Sequence, residues 1–234
     1  MAMQEYTDAA VCLSPGAKPA PLVAIAVDVV IFTVTEHGLA VLLRRRQETP
    51  FAGRWTLPGG FLGDDESPEA GAERVLVDKV GVEDLYVEQL YTFGAPERDP
   101  RGRVVSIGFF ALMPWNRAAP LAGETHGTAW HGVATLAGLG FDHAEIIGMA
   151  RERLVGKLAY STIALQLMPE RFTLSQLQSV YEGIMGEALD KRNFRKWVAS
   201  LDCIEATGEM YRAGSHRPAR LYRVKYPGEV RMIK

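Results

Sequence analysis

The sequence predicts an α+β fold in two parts, and three observations carry that reading. Strand-like apolar runs alternate with helical stretches up to about residue 158, and after Tyr160 the pattern changes to two short helices and an alternating stretch. The charge is also divided. From Asp190 to Lys234 there are 11 Lys and Arg against 5 Asp and Glu, a local +6, whereas positions 1 to 189 hold 15 against 23, or −8. The net charge of −2 hides this asymmetry, and the basic end calls for an anionic partner such as nucleic acid. With 234 residues and 47% apolar content, the chain is long enough for one or two domains with their own cores.

Taken in order, Ser14 to Pro21 is rich in Pro, Gly and Ala, so residues 1–21 read as a flexible lead-in. Leu22 to Val34 and Leu39 to Leu43 are β-branched and apolar runs separated by the turn Glu36-His37-Gly38, which predicts two strands and a tight connection. Pro50 to Gly60 is loop with a short extended piece at Trp55 to Leu57, because Pro58, Gly59 and Gly60 oppose a helix. Ser67-Pro68 predicts a helix start, with Ser as the cap and Pro where no amide needs a partner, and Gly81 predicts its stop after Val80. Val87 to Phe93 and Val104 to Met113 read as strands around a polar loop, Gly94 to Arg103. Asp142 and Glu145 resemble a capping box that opens a helix of about four turns, with Ile146, Ala150 and Leu154 on one face.

Beyond Tyr160, Thr173 and Gln176 form a second capping box, and Leu174, Leu177, Tyr181 and Ile184 recur at helical spacing until Gly186. Asp190 caps the next helix, Leu189 and Phe194 stand at staple positions, and Phe194, Trp197, Val198 and Leu201 define its apolar face. Helix, break, helix and an alternating hairpin make a winged helix-turn-helix. Lys191, Arg192, Asn193, Arg195 and Lys196 are its candidate groove-reading residues, and His216, Arg217 and Arg220 are candidates on the wing after the turn Ala213-Gly214-Ser215. A basic tip of that kind suits phosphates or a narrow minor groove.

Cys12 and Cys203 lie far apart and in no CxxC or Cys/His cluster, so reduced thiols are expected, with neither a disulfide framework nor a zinc site. No signal-like start and no 18-residue uncharged apolar run is present, which predicts a cytoplasmic protein with no membrane partner.

Gly60, Glu66, Arg74 and Gly81 follow the spacing G-x5-E-x7-R-E-x2-E-E-x-G, behind Trp55-Thr56-Leu57-Pro58-Gly59-Gly60-Phe61. Residues 22–158 thereby resemble the Nudix hydrolases, which implies an α/β/α sandwich. In that family acidic residues three and four apart on one helical face hold divalent cations that neutralise pyrophosphate. Here the positions are Val75, Asp78 and Lys79: a side chain without a donor, a shortened carboxylate and a positive charge. No metal ligands, no required cofactor and no catalytic residues are therefore expected, and magnesium binding is disfavoured. The surviving frame offers a ligand site. Arg45, Arg46 and Arg98 are candidates for phosphates, Trp55 and Phe61 for a base, and Gly59 and Gly60 for close backbone approach. Glu66 is included as a candidate and equally as the partner of Arg74 in a loop brace. Tyr91 to Gly94 and Pro96 to Gly102 resemble the loop of Nudix proteins that handle ADP-ribose.

A degenerate Nudix box followed by Phe172 to Leu177 and Leu189 to Arg195 resembles the Nudix-related regulators of NAD metabolism, the NrtR family. That resemblance implies a ligand-sensing domain at 22–158, a DNA-binding domain at 159–234, a homodimer on a double-stranded palindromic operator, and ADP-ribose or a related nucleotide as the effector that releases it. It implies control of NAD-biosynthesis genes. Two alternatives stand beside it: a magnesium-dependent ADP-ribose pyrophosphatase with a DNA-binding appendage, and a relative that regulates sugar catabolism.

Overall fold

The computed structural model describes residues 22–121, 127–212 and 218–233. Its centre is β1, Ala24–Thr35, buried continuously from Val27 to Thr33. That burial follows from pairing on both edges. On one edge lie antiparallel β2 (Gly38–Arg45) and β4 (Gly59–Phe61), and on the other β6 (Val104–Leu112) runs parallel, in register from Ala24 opposite Val104 to Phe32 opposite Leu112. A strand covered on both faces needs apolar residues at successive positions. Two-residue β3 (Trp55–Thr56) and β7 (Thr128–Gly132) extend β2, and β5 (Tyr86–Phe93) closes the far edge on β6.

Helices cover the two faces of this seven-stranded sheet. On one side α1 (Pro68–Val80) lays Ala72, Val75 and Leu76 on Val27, Val29, Ile31 and Phe109, with the short α2 (Trp115–Ala118) beside it. On the other, α3 (His143–Leu158) lays Ile146, Ile147, Ala150 and Leu154 on Val30, Phe32, Phe110 and Leu112. The result is the α/β/α sandwich expected from the sequence. The helix ends of α1 agree as well: the Ser67 side chain accepts from the Ala70 amide, and Gly81 terminates the helix at φ 76°.

After α3 the chain passes through a 3-10 turn, Ile163–Leu167, into α4 (Leu174–Met185) and α5 (Lys191–Ser200), then the antiparallel hairpin β8 (Ile204–Tyr211) and β9 (Ala219–Val224). The Thr173/Gln176 capping box is formed, and the Asp190 carboxylate accepts from the Asn193 amide. This is the winged helix. It does not hang free of the sandwich, because the core under α3 continues through Leu177, Val180, Tyr181 and Ile184 of α4 into Phe194 and Val198 of α5.

Three findings depart from the sequence reading. Strands β4 and β7 and helix α2 are absent from it, since elements of three to five residues carry too little periodicity to register. Asp142 precedes α3 without making a side-chain cap; its carboxylate accepts from Arg98 instead. The lead-in 1–21 and the wing-tip stretch Ala213 to Arg217, including His216 and Arg217, lie outside the described residues.

The β1–β2 turn meets α4 at Gly183, where an added Cβ would lie 2.6 Å from Val34 Cγ1. A real Cβ does not tolerate such a distance. Gly183→Ala is expected to lose about 1 kcal/mol in urea unfolding, as overpacking of about 1–3 kcal/mol outweighs up to ~1 kcal/mol of helix propensity. Adding Val34→Ala reopens the space, so the double variant should be more stable than the two single losses predict. Simple additivity would mean that turn and helix are not in tight contact.

Candidate functional site

A cleft of about 230 Å³ opens where β1, β4, the loop after β5 and the start of α3 converge. Its floor is a polar network in an apolar setting. Asp28, the one carboxylate in the apolar run of β1, accepts from the Ser106 hydroxyl at 2.6 Å and from Arg98 Nη2 at 3.2 Å. Arg98 also grips Asp142 with two hydrogen bonds of 2.7 Å. The Leu57 amide donates to His143 Nδ1 at 2.8 Å, which leaves Nε2 to carry the ring proton, 3.5 Å from Asp28 Oδ1. Burial pushes the Asp28 carboxyl up, but His143, the Ser106 hydroxyl and Arg98 outweigh it and hold it at about 2. The carboxylate is therefore ionised at any physiological pH, and it shares the Arg98 charge with Asp142.

The mouth is aromatic and cationic. The Arg101 guanidinium lies 5.2 Å from the centre of the Phe61 ring and 5.6 Å from that of Phe141, and Arg46 lies 5.1 Å from Phe141. Arg101 is held by Asp99 at 2.6 Å, and Arg46 donates to the Pro50 carbonyl. Burial lowers the Arg46 pKa, and Arg101 facing it lowers it further. Two guanidinium groups thus stand together at the opening, an arrangement that an anion would relieve.

The candidates from sequence separate cleanly by position. Arg46, Gly59, Gly60, Phe61 and Arg98 line the cleft. Within it, Arg98 is a buried strut, its side chain only 3% exposed between two carboxylates. A Cβ on Gly59 would fall 2.3 Å from Asp28 Oδ1 and 2.8 Å from the Val27 carbonyl, so this glycine is required by the network beneath it. A Cβ on Gly60 meets nothing closer than 3.7 Å. Arg45 is exposed outside the cleft, where it donates to the Gly53 carbonyl, and Trp55 stacks edge-on against His131 in the sandwich. Glu66 pairs with Arg74 at 2.6 Å, and Arg74 also donates to the Phe61 carbonyl, so the two residues brace the box loop against α1. Sequence reasoning missed Asp28, Phe141 and His143, and it placed Arg101 in the ADP-ribose-like loop without naming it a ligand candidate. Asp28 did carry a signal: a carboxylate inside a Val-rich strand must have a partner.

On α1, Val75 is fully buried with Val27 and Val29, while Asp78 and Lys79 are exposed on the outer side.

In the winged helix, α5 exposes Lys191, Arg192, Asn193, Arg195 and Lys196 opposite buried Phe194 and Val198. Arg220 is exposed on β9. Among the described residues the ion pairs of this part are Arg171 with Glu209, Arg223 with Glu205 and Lys225 with Asp202, so the four cations of α5 are free for phosphate or base edges.

The fold and its two sites define a Nudix domain fused to a winged-helix DNA-binding domain. The chain matches the NUDIX domain over residues 23–148 and the NrtR DNA-binding winged helix domain over residues 164–224, and it belongs to the NrtR family. It is 37% identical to the ADPR responsive transcriptional repressor NtrR of Acinetobacter baylyi, over 88% of this chain and 82% of that one. Its structure is similar to that of Shewanella oneidensis NrtR complexed with a 27mer DNA, with TM-score 0.78 and 38% identity over 86% of this chain and 93% of the other. The NUDIX domain of the same Shewanella protein complexed with ADP ribose matches 66% of this chain and 99% of its own length, at 35% identity and TM-score 0.51.

Asp28 sets a pH dependence. Its folded pKa is below its unfolded value of 3.8, so its contribution is fully present above that pH and is lost as pH falls through about 2. Asp28→Asn should lose about 2 kcal/mol at pH 7, and the gap to the parent protein should narrow between pH 4 and pH 2. A gap that stays constant over that range would show that the ionised form of Asp28 contributes nothing.

Proposed function

We propose that this protein is a transcriptional repressor that binds operator DNA through α5 and the wing and releases it when ADP-ribose occupies the Nudix cleft. The observation that carries the proposal is the course of α3. Its first residue, His143, lines the cleft beside Phe141, and Asp142 just before it is held by Arg98. Its last turn, with Val155 and Leu158, lines an apolar groove shared with Leu189, Asn193, Phe194 and Trp197. One rigid rod of 16 residues, about 24 Å long, therefore reaches from the ligand to the base of the DNA-reading helix. Toward its C-terminal end the rod is pinned to β5, where Glu88 accepts from Tyr86, Lys157 and Arg153. Two-fold repetition of this unit on a palindrome fits the family, and the dimer is part of the proposal.

Arg46 supplies positive charge for a diphosphate, and Phe61 and Phe141 supply faces for a base. The donor set on α1 does not fit magnesium. Val75 has no donor and is buried in the core, Lys79 carries the sign of the cation, and Asp78 alone makes no hard-ion site. The cleft is therefore proposed to hold its nucleotide without hydrolysing it. Genes of NAD synthesis are the proposed targets.

For the ligand to release DNA it must bind the DNA-free arrangement more tightly, and DNA must weaken ligand binding by the same factor. Fluorescence anisotropy on operator DNA should show affinity falling about 5–150-fold at saturating ADP-ribose, with no comparable effect of ribose 5-phosphate. The same samples, incubated with magnesium, should release no AMP at enzymatic rates. Unchanged DNA affinity defeats the repressor mechanism, and rapid AMP release establishes the pyrophosphatase in its place.

A further inference from the structure

Resting on the reading that the cleft takes ADP-ribose, we propose that Arg101 fills the slot of the nucleobase while the cleft is empty, and that its displacement acts on α3 through Phe141.

The first argument is space. A cleft of about 230 Å³ is smaller than the roughly 300–1,000 Å³ of sites that engulf small molecules, so clearing a side chain from its mouth makes room for a nucleotide. Most of the lining is fixed. Asp28, Arg98 and His143 are buried and mutually bonded, and Gly59 is backed by the Asp28 carboxylate. Arg101 differs. Its hydrogen bonds run only to Asp99, two residues away, and its side chain is 29% exposed. Rotation of this one side chain breaks no contact that joins distant parts of the chain except its stacking on Phe61 and Phe141.

The second argument is shape. A guanidinium is a flat, delocalised group, and here it lies within stacking range of two phenyl rings at once. A purine is also flat, with a larger face, and it stacks on aromatic side chains with useful energy. The two ring contacts of Arg101 are those a base would make, whereas its pair with Asp99 is its own. Once displaced, Arg101 leaves Arg46 alone over Phe141 and ends the repulsion between the two cations.

The third argument is connection. Phe141 stands at φ 55° and Phe51 at φ 67°, a left-handed conformation that bulky residues adopt only under constraint. The two rings meet edge-on at 4.8 Å, and Gly140 fits beneath Phe51, where an added Cβ would lie 3.2 Å from Phe51 Cβ. Phe141 immediately precedes Asp142, the residue through which Arg98 fixes the start of α3. Arg101 is thus one of the contacts that hold a strained residue at the head of the rod. Exchanging a flat cation for a broader neutral base on the Phe141 ring changes the forces on that residue first.

The test uses the full-length protein and adenosine, which presents the base without phosphates. Binding is followed by NMR titration, and melting temperature reports folding of each variant. Arg101→Ala should bind adenosine about three- to tenfold more tightly than the parent. Arg101→Lys keeps the charge but loses the flat face, and it should tighten adenosine as well. Phe141→Leu should bind adenosine about tenfold more weakly and, with ADP-ribose saturating, should release operator DNA less completely than the parent does. Weaker adenosine binding by both Arg101 variants overturns the proposal, because it makes Arg101 a ligand contact and not an occupant of the slot. Adenosine affinity unchanged in both also overturns it. Failure of the parent protein to respond to ADP-ribose is a separate result that refutes the repressor reading, and adenosine binding still decides the role of Arg101.

Discussion

The placement of Arg98 between Asp28 and Asp142 is the constraint on which the remaining architecture depends. It ties three separate stretches together: the central strand β1, the loop after β5 and the entrance to α3. Two carboxylates around one guanidinium leave a net negative charge in a nearly dry place, and desolvation of such a group is expensive unless hydrogen bonds satisfy it. The Ser106 hydroxyl and the Nε2 face of His143 complete that satisfaction around Asp28. Removing any one partner leaves a buried charge exposed to its neighbours, so the position of α3 cannot drift without cost. The cleft inherits its floor from this network, and Gly59 has to be a glycine because Asp28 occupies the space of its side chain.

A helix fixed so firmly at its start is useful as a lever only if its end also engages something. The core provides that engagement. Side chains from the sheet, α3, α4 and α5 form one continuous apolar cluster, so the two parts of the chain share packing instead of a flexible tether. Close-packed interiors switch between discrete arrangements and do not deform smoothly. Gly183 against the β1–β2 turn and Glu88 against Lys157 restrict the alternatives further. The same packing joins the head of α3 to α5, the helix whose four cations are exposed.

Local signals explain what was legible in the sequence. Ser67 with Gly81, Thr173 with Gln176, and Asp190 before a staple pair are short-range devices, and each appears in the structure at the position its spacing implies. Asp142 shows the limit of that logic. Its spacing to Glu145 mimics a capping box, but a guanidinium brought from 44 residues away competes for the same carboxylate and wins. A charge-assisted bidentate contact is stronger than a neutral amide donor. The cleft illustrates the same point. Gly60, Phe61 and Arg46 were visible as part of a motif or a basic run, and Arg101 as part of a family-like loop, whereas Asp28, Phe141 and His143 come from two further segments that share no spacing with the motif. Trp55 and Arg45 sat beside the motif in sequence yet face away from the cleft, because successive strand residues point to opposite sides.

The altered Nudix box fits this arrangement energetically. A hydrolase and a sensor ask opposite things of the same cleft. An enzyme gains by binding the transition state more tightly than its substrate, and magnesium on α1 is the means by which the family neutralises the charge that develops there. A sensor gains by binding the intact ligand in one protein conformation more tightly than in another, and any turnover drains the state it reports. Val75 does more than remove a ligand from the box. Buried with Val27 and Val29, it adds apolar area to the face of the sheet that α1 covers, where a carboxylate would have required water or a cation. The polar network around Arg98 sits at the head of α3, the helix whose far end packs against α5.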